Sequence, residues 1–170
     1  RGEEIATAAI FEGKSTGHAY RYSYGRRKQR GTFLVVKKLV QRSVLETIGN
    51  TPLVKLNRLG RGAAEIWVKL EFLNPGGSIK DRSALAIVEE AEAQGKLGPG
   101  GAVVEATAGN MGISLAMVAA AKGYRAVLVI PENASAEQRY RLLRLGAEVV
   151  LSPARDGMAG AIAMAENMAR

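Results

Sequence analysis

A chain of 170 residues, 47% apolar and 24% charged, has room for one hydrophobic core and the composition of a globular domain. It holds no cysteine, which excludes a disulfide framework and a thiolate zinc site, and apolar runs such as 113–121 fall short of the roughly 20 residues of a membrane span, so a soluble protein is expected. The net charge of +8 excludes less than it suggests, because residues 1–42 carry ten Lys/Arg against three Glu and residues 43–170 carry fourteen against thirteen acids, leaving the compact part nearly neutral and nucleic acid unexpected as a partner.

In chain order, residues 1–42 hold a Tyr/Arg-rich run, 20–30, and the short apolar piece 33–36, with no sustained period joining them. A basic, poorly ordered leader is expected there, and an organellar address follows only if it is a transit segment. Regular punctuation starts near Val44. A turn at 49–52 leads to a strand over 53–56, a second strand falls over 65–70, and the cluster Asn74-Pro75-Gly76-Gly77 breaks it. Ser78 is then the expected cap of a helix whose apolar face, Ala84, Leu85, Ile87, Val88 and Ala91, ends at Gly95.

Three strand-then-helix units follow. The first pairs 102–105 with a helix from Asn110 to Lys122, closed by Gly123. The second pairs 126–130 with 135–145, where Ser135 and Gln138 have capping-box spacing. The third pairs 148–151 with 157–169. Short apolar strands alternating with helices predict an α/β fold, an open parallel sheet with helices on both faces.

Ligands of such sheets lie beyond the carboxyl ends of the strands, which singles out two loops. In 74–80 a lysine falls in the first turn of a helix. The positive end of the helix macrodipole opposes an ammonium there and favours a neutral amine, the nucleophile that forms a Schiff base with an aldehyde cofactor. The alternative is a lysine that points into water beside Asp81. The second loop, Ala106 to Gly112, sets glycines, a hydroxyl and an amide ahead of a helix and suits a carboxylate or phosphate, although an ordinary strand-to-helix turn has the same look. Asn110 either caps that helix or bonds a ligand oxygen. The single histidine, His18, lies in the leader, so no Ser/His pair or multi-histidine metal site is available in the compact part, and no metal is expected. Glu71, Glu105 and Asp156 show no paired spacing.

Three runs taken together, Ile48-Gly49-Asn50-Thr51-Pro52-Leu53, Asn74-Pro75-Gly76-Gly77-Ser78-Ile79-Lys80-Asp81-Arg82 and Thr107-Ala108-Gly109-Asn110-Met111-Gly112, resemble in order and spacing the fold-type II pyridoxal phosphate (PLP) family of cysteine synthases and cystathionine β-synthases. The resemblance covers residues 43–170. It implies PLP as cofactor, Lys80 as the catalytic lysine that binds it, and Asn110 as a partner of its ring oxygen. It also implies that Thr107, Ala108, Gly109, Asn110 and Met111 cradle the carboxylate of an amino-acid substrate. The reaction implied is β-replacement on an O-activated serine by sulfide or a thiol, in a cytoplasmic enzyme that is a homodimer when complete.

Two positions depart from the family's more frequent loop. Ala108 stands where a Ser is usual and removes one hydroxyl donor, while Met111 replaces a Thr with a bulky thioether. The family's later phosphate loop, its Gln-bearing segment and the Ser facing the pyridine nitrogen do not occur before Arg170, so the resemblance implies a truncated chain with an incomplete cofactor pocket, holding little of the larger domain. A cystathionine β-synthase-like enzyme, or a non-catalytic fragment acting only by binding, are the alternative readings.

Overall fold

The computed structural model describes residues 41–59, 64–107 and 109–170. The expected leader, apart from its last two residues, lies outside the described residues, and so does Ala108.

Ser43 opens the ordered path by accepting the Leu45 N–H at 3.2 Å, which caps a short 3-10 turn over Val44–Thr47. Gly49 and Asn50 follow at φ 86° and 50°, a left-handed pair that glycine and asparagine tolerate best. This turn feeds β1 (Leu53–Lys55), which pairs antiparallel with β2 (Trp67–Lys69), Leu53 lying opposite Lys69. Both strands are shorter than the sequence suggests, and they form a two-stranded sheet of their own. The reason is burial: Leu53, Val54 and Trp67 are all exposed, so no apolar face extends the pairing.

The main sheet is parallel, in the order β3 (Ala102–Ala106), β4 (Arg125–Pro131), β5 (Glu148–Ser152). β4 lies in the middle, and all its residues from Ala126 onward are buried. Its alternation divides the core. Ala126, Leu128 and Ile130 pack with Ala116 and Ala119 of α2 (Asn110–Lys122) and Leu142 of α3 (Ala136–Arg144). Val129 points the other way, toward Ala161 and Ala165 of α4 (Gly157–Met168). Helices therefore cover both faces, as the strand and helix order predicts. α1 (Lys80–Ala93) packs on α2, with Ala84 and Val88 against Leu115 and Val118.

The helix ends follow their sequence signals closely. Gly123 closes α2 at φ 79°, and Ser135 with Gln138 forms a reciprocal capping box at the start of α3. At α1 the cap position falls on Ile79, one residue after the expected Ser78. Ser78 Oγ nevertheless accepts the Lys80 N–H at 3.1 Å, the bond a cap at Ser78 would make, so the difference is within the usual fraying of a helix start.

Candidate active site

α1 and α2 run in the same direction, and the bonds between them show it. Near their starts, Ser114 Oγ donates to Asp81 Oδ1 at 2.5 Å; near their ends, Lys122 Nζ and Tyr124 OH both donate to Glu92, each at 2.8 Å. The two N-termini thus share one end of the seam, at the carboxyl end of β3. Lys80 is the first residue of α1 and Asn110 the first of α2, and both are exposed. Asn110 lies one turn ahead of Ser114 on the same helix face, and Lys80 adjoins Asp81. The fold therefore gathers the predicted lysine and amide at one place, where two positive helix ends meet. Gly109 occupies the cap position of α2, so Asn110 heads the helix and does not cap it.

The loop before α2 is held from within. Thr107 is buried, its N–H bonds the Val129 carbonyl at 3.0 Å, and its Oγ1 accepts from Gly112 N at 3.0 Å and Gly109 N at 3.4 Å. A Cβ on Gly112 would collide with the Thr107 methyl. Gly112→Ala is thus expected to cost about 1 to 3 kcal/mol through overpacking and to push Thr107 off its bond. Urea denaturation measures the cost, and an unchanged midpoint would mean the loop yields freely.

Beside this loop is a pocket of about 230 Å³ lined by Thr107, Gly109, Asn110, Ile130, Ser135 and Gln138, among others. The contribution of α3 to its wall is something the sequence reading missed. Met111 does not line the pocket; half-buried, it packs against the cluster of Ala84, Val88 and Leu115 in the seam. Lys80 stands outside the pocket as well.

A second feature missed in the sequence is Glu71. Its carboxylate takes Arg82 Nε at 2.8 Å and Arg82 Nη2 at 3.0 Å, with Thr51 Oγ1 at 2.6 Å and Asn74 Nδ2 at 2.9 Å. Asn74 Oδ1 in turn accepts the Gly49 N–H at 2.8 Å. One carboxylate therefore joins the turn at 49–51 to the start and the end of the lysine loop. The Arg82 hydrogen bonds, then that of Thr51, hold the Glu71 carboxyl at about 2, far below its ordinary 4.5. A depressed carboxyl contributes stability that is complete above its unfolded value and is lost as pH falls through its folded one. Denaturation midpoints are accordingly expected to fall between pH 4.5 and about 2, and Glu71→Gln should flatten that fall. An equally steep fall in the variant would assign the acid sensitivity to other carboxyls. Glu105, half-buried on β3, is shifted the other way, upward, by burial.

Among the described residues, no group of His, Asp and Glu could hold a metal ion, and no helix is long and apolar enough to cross a membrane.

Residues 44–170 match the family model described as "Pyridoxal-phosphate dependent enzyme". A cysteine synthase of a Flavobacterium species is 55% identical over 127 residues, 75% of this chain and 41% of the relative. Among solved structures, an O-ureido-L-serine synthase superposes with a TM-score of 0.74 at 47% identity, covering 76% of this chain and 41% of that one. A cysteine synthase of Entamoeba histolytica has the same TM-score at 36% identity, covering 82% of this chain and 43% of that one. The chain spans about two-fifths of the length of the relatives it matches. With the match reaching from the 3-10 turn through α4, and the lysine and amide loops lying inside it, the chain belongs to the pyridoxal-phosphate dependent enzyme family, as a fold-type II member.

Proposed function

We propose that this chain supplies the lysine and the substrate loop of a PLP-dependent enzyme that makes cysteine by replacing the β-substituent of an O-activated serine with sulfide. The observation that carries the reading is the convergence of Lys80 and Asn110 at the shared N-terminal end of α1 and α2, in a chain 55% identical to a cysteine synthase. The donor set suits the cofactor: an exposed amine for an aldehyde, a carboxamide for a ring oxygen, and a helix start for an anion.

When bound, PLP supplies the electron sink for the α-carbon. Lys80 would hold the cofactor aldehyde and, once the amine of the substrate has displaced it, its freed amine would take the α-proton and later return it. Asn110 orients the ring. The substrate carboxylate lies on the Thr107–Met111 loop, whose shape Thr107 Oγ1 maintains through its two accepted bonds. In the balance of the reaction, the bond from Cβ to the activated oxygen breaks with its electron pair leaving on that oxygen, and sulfide sulfur forms the new bond to Cβ. Met111, turned into the seam, packs against the Ala84, Val88 and Leu115 cluster. The proposal extends to a cytoplasmic homodimer.

Borohydride reduction of the chain mixed with PLP, followed by peptide mapping, tests the assignment. The pyridoxyl group is expected on Lys80. Labelling centred on Lys69 or Lys96 would overturn the reading.

A further inference from the structure

Asp81 is a carboxylate with no exposed surface, directly after Lys80 and without a part in the reaction as described above. Both its oxygens are engaged. Oδ2 accepts the Gly76 N–H at 2.6 Å, from the middle of the lysine loop, and Oδ1 accepts the hydroxyl of Ser114 at 2.5 Å, from α2. Ser114 is itself fully buried. The fit around the carboxylate is close, since a Cβ at Gly76 would fall on the Asp81 carboxylate.

A buried carboxylate loses its hydration, and only well-made hydrogen bonds offset that loss. Helix contact alone does not call for one, because farther along the same seam Ala84 and Val88 meet Leu115 and Val118 with apolar surface only. What the carboxylate adds is direction. An apolar contact lets two helices and a loop slide, whereas two short hydrogen bonds from one rigid group fix three segments against each other. Successive helical side chains stand about 100° apart, so with Asp81 turned into the seam its neighbour Lys80 is turned out of it, exposed at the head of α1. Ser114 lies one turn below Asn110 on the same face.

We propose that Asp81, through Gly76 and Ser114, is a positioning residue that sets the Lys80 amine relative to the Asn110 amide. The inference rests on the assignment of Lys80 as the cofactor lysine. Asp81→Ala removes both bonds, and Ser114→Ala removes one and strands a buried oxygen. Asp81→Asn retains both in altered form, its carbonyl oxygen accepting from Gly76 and its amide donating to the Ser114 hydroxyl.

The test uses the 170-residue chain with PLP and borohydride, reading the ratio of Lys80 to Lys96 labelling by peptide mapping and the induced circular dichroism of the bound chromophore. Far-UV dichroism at the same temperature reports folding. Asp81→Ala and Ser114→Ala are expected to lower the ratio about tenfold and to remove the induced signal while folding is retained, and Asp81→Asn to restore most of both. If Asp81→Ala unfolds, Ser114→Ala decides. Unchanged ratio and signal in a folded Ser114→Ala chain would overturn the inference alone. A parent chain labelled no more at Lys80 than at Lys96 would remove the cofactor assignment itself, and the inference with it.

Discussion

Lys80→Ala is expected to abolish the visible absorption that the chain acquires with PLP and to reduce borohydride-stable incorporation to background. The other described lysines explain why no substitute takes over. Lys55 pairs with Glu65, Lys69 donates to the Thr51 carbonyl, and Lys122 is held by Glu92. Lys96 lies beyond the opposite end of α1, about 20 Å away at 1.5 Å per residue. Lys80 is exposed, so its truncation should alter stability by no more than about 0.5 kcal/mol, and the loss can be read on a folded chain. Lys80→Arg keeps the charge yet offers no amine that condenses with an aldehyde at neutral pH, and it should behave the same way. Retained absorption in either variant would place the cofactor chemistry on another residue.

Leu128→Ala is expected to have the largest effect on stability. Leu128 is fully buried at the centre of β4, in the cluster that includes Ala116 and Ala119 of α2 and Leu142 of α3. Truncation of such a leucine removes transfer energy and leaves a cavity, at a cost of about 2 to 5 kcal/mol. Against the lower end of the roughly 5 to 15 kcal/mol that stabilise a typical domain, a cost near 5 kcal/mol is enough to populate unfolded chain at room temperature. Because the folded seam of α1 and α2 is what brings Lys80 to the same end as Asn110, PLP labelling of Lys80 should fall with the folded fraction. Urea denaturation of the variant supplies the check; a loss under about 1 kcal/mol would show that α2 and α3 close on the vacated space.

The parts legible in the sequence are those written in local signals. α2 begins and ends at the expected residues because Gly123 supplies the left-handed closure, and α3 starts where Ser135 and Gln138 announce it. The parallel sheet follows from the strand and helix order. β1 and β2 are shorter than their alternation suggests because that pattern cannot say whether a face is covered, and here it is not.

The site was legible as two motifs but not as an arrangement. Glu71 meets Arg82 across eleven residues and Asp81 meets Ser114 across thirty-three, and no period connects such partners. Met111 is a different case. Residues 111, 115 and 118 form one helical stripe, so its place in the seam with Leu115 and Val118 was present in the pattern.

The seam between α1 and α2 is apolar along its middle and fastened by polar bonds at both ends, Asp81 with Ser114 and Glu92 with Lys122 and Tyr124. A slip of one turn, about 5.4 Å, would break both fastenings together, so the pair has a single register. It acts as a beam. With its fastenings about 17 Å apart at 1.5 Å per residue, that single register fixes the spacing of amine and amide at the head of the beam.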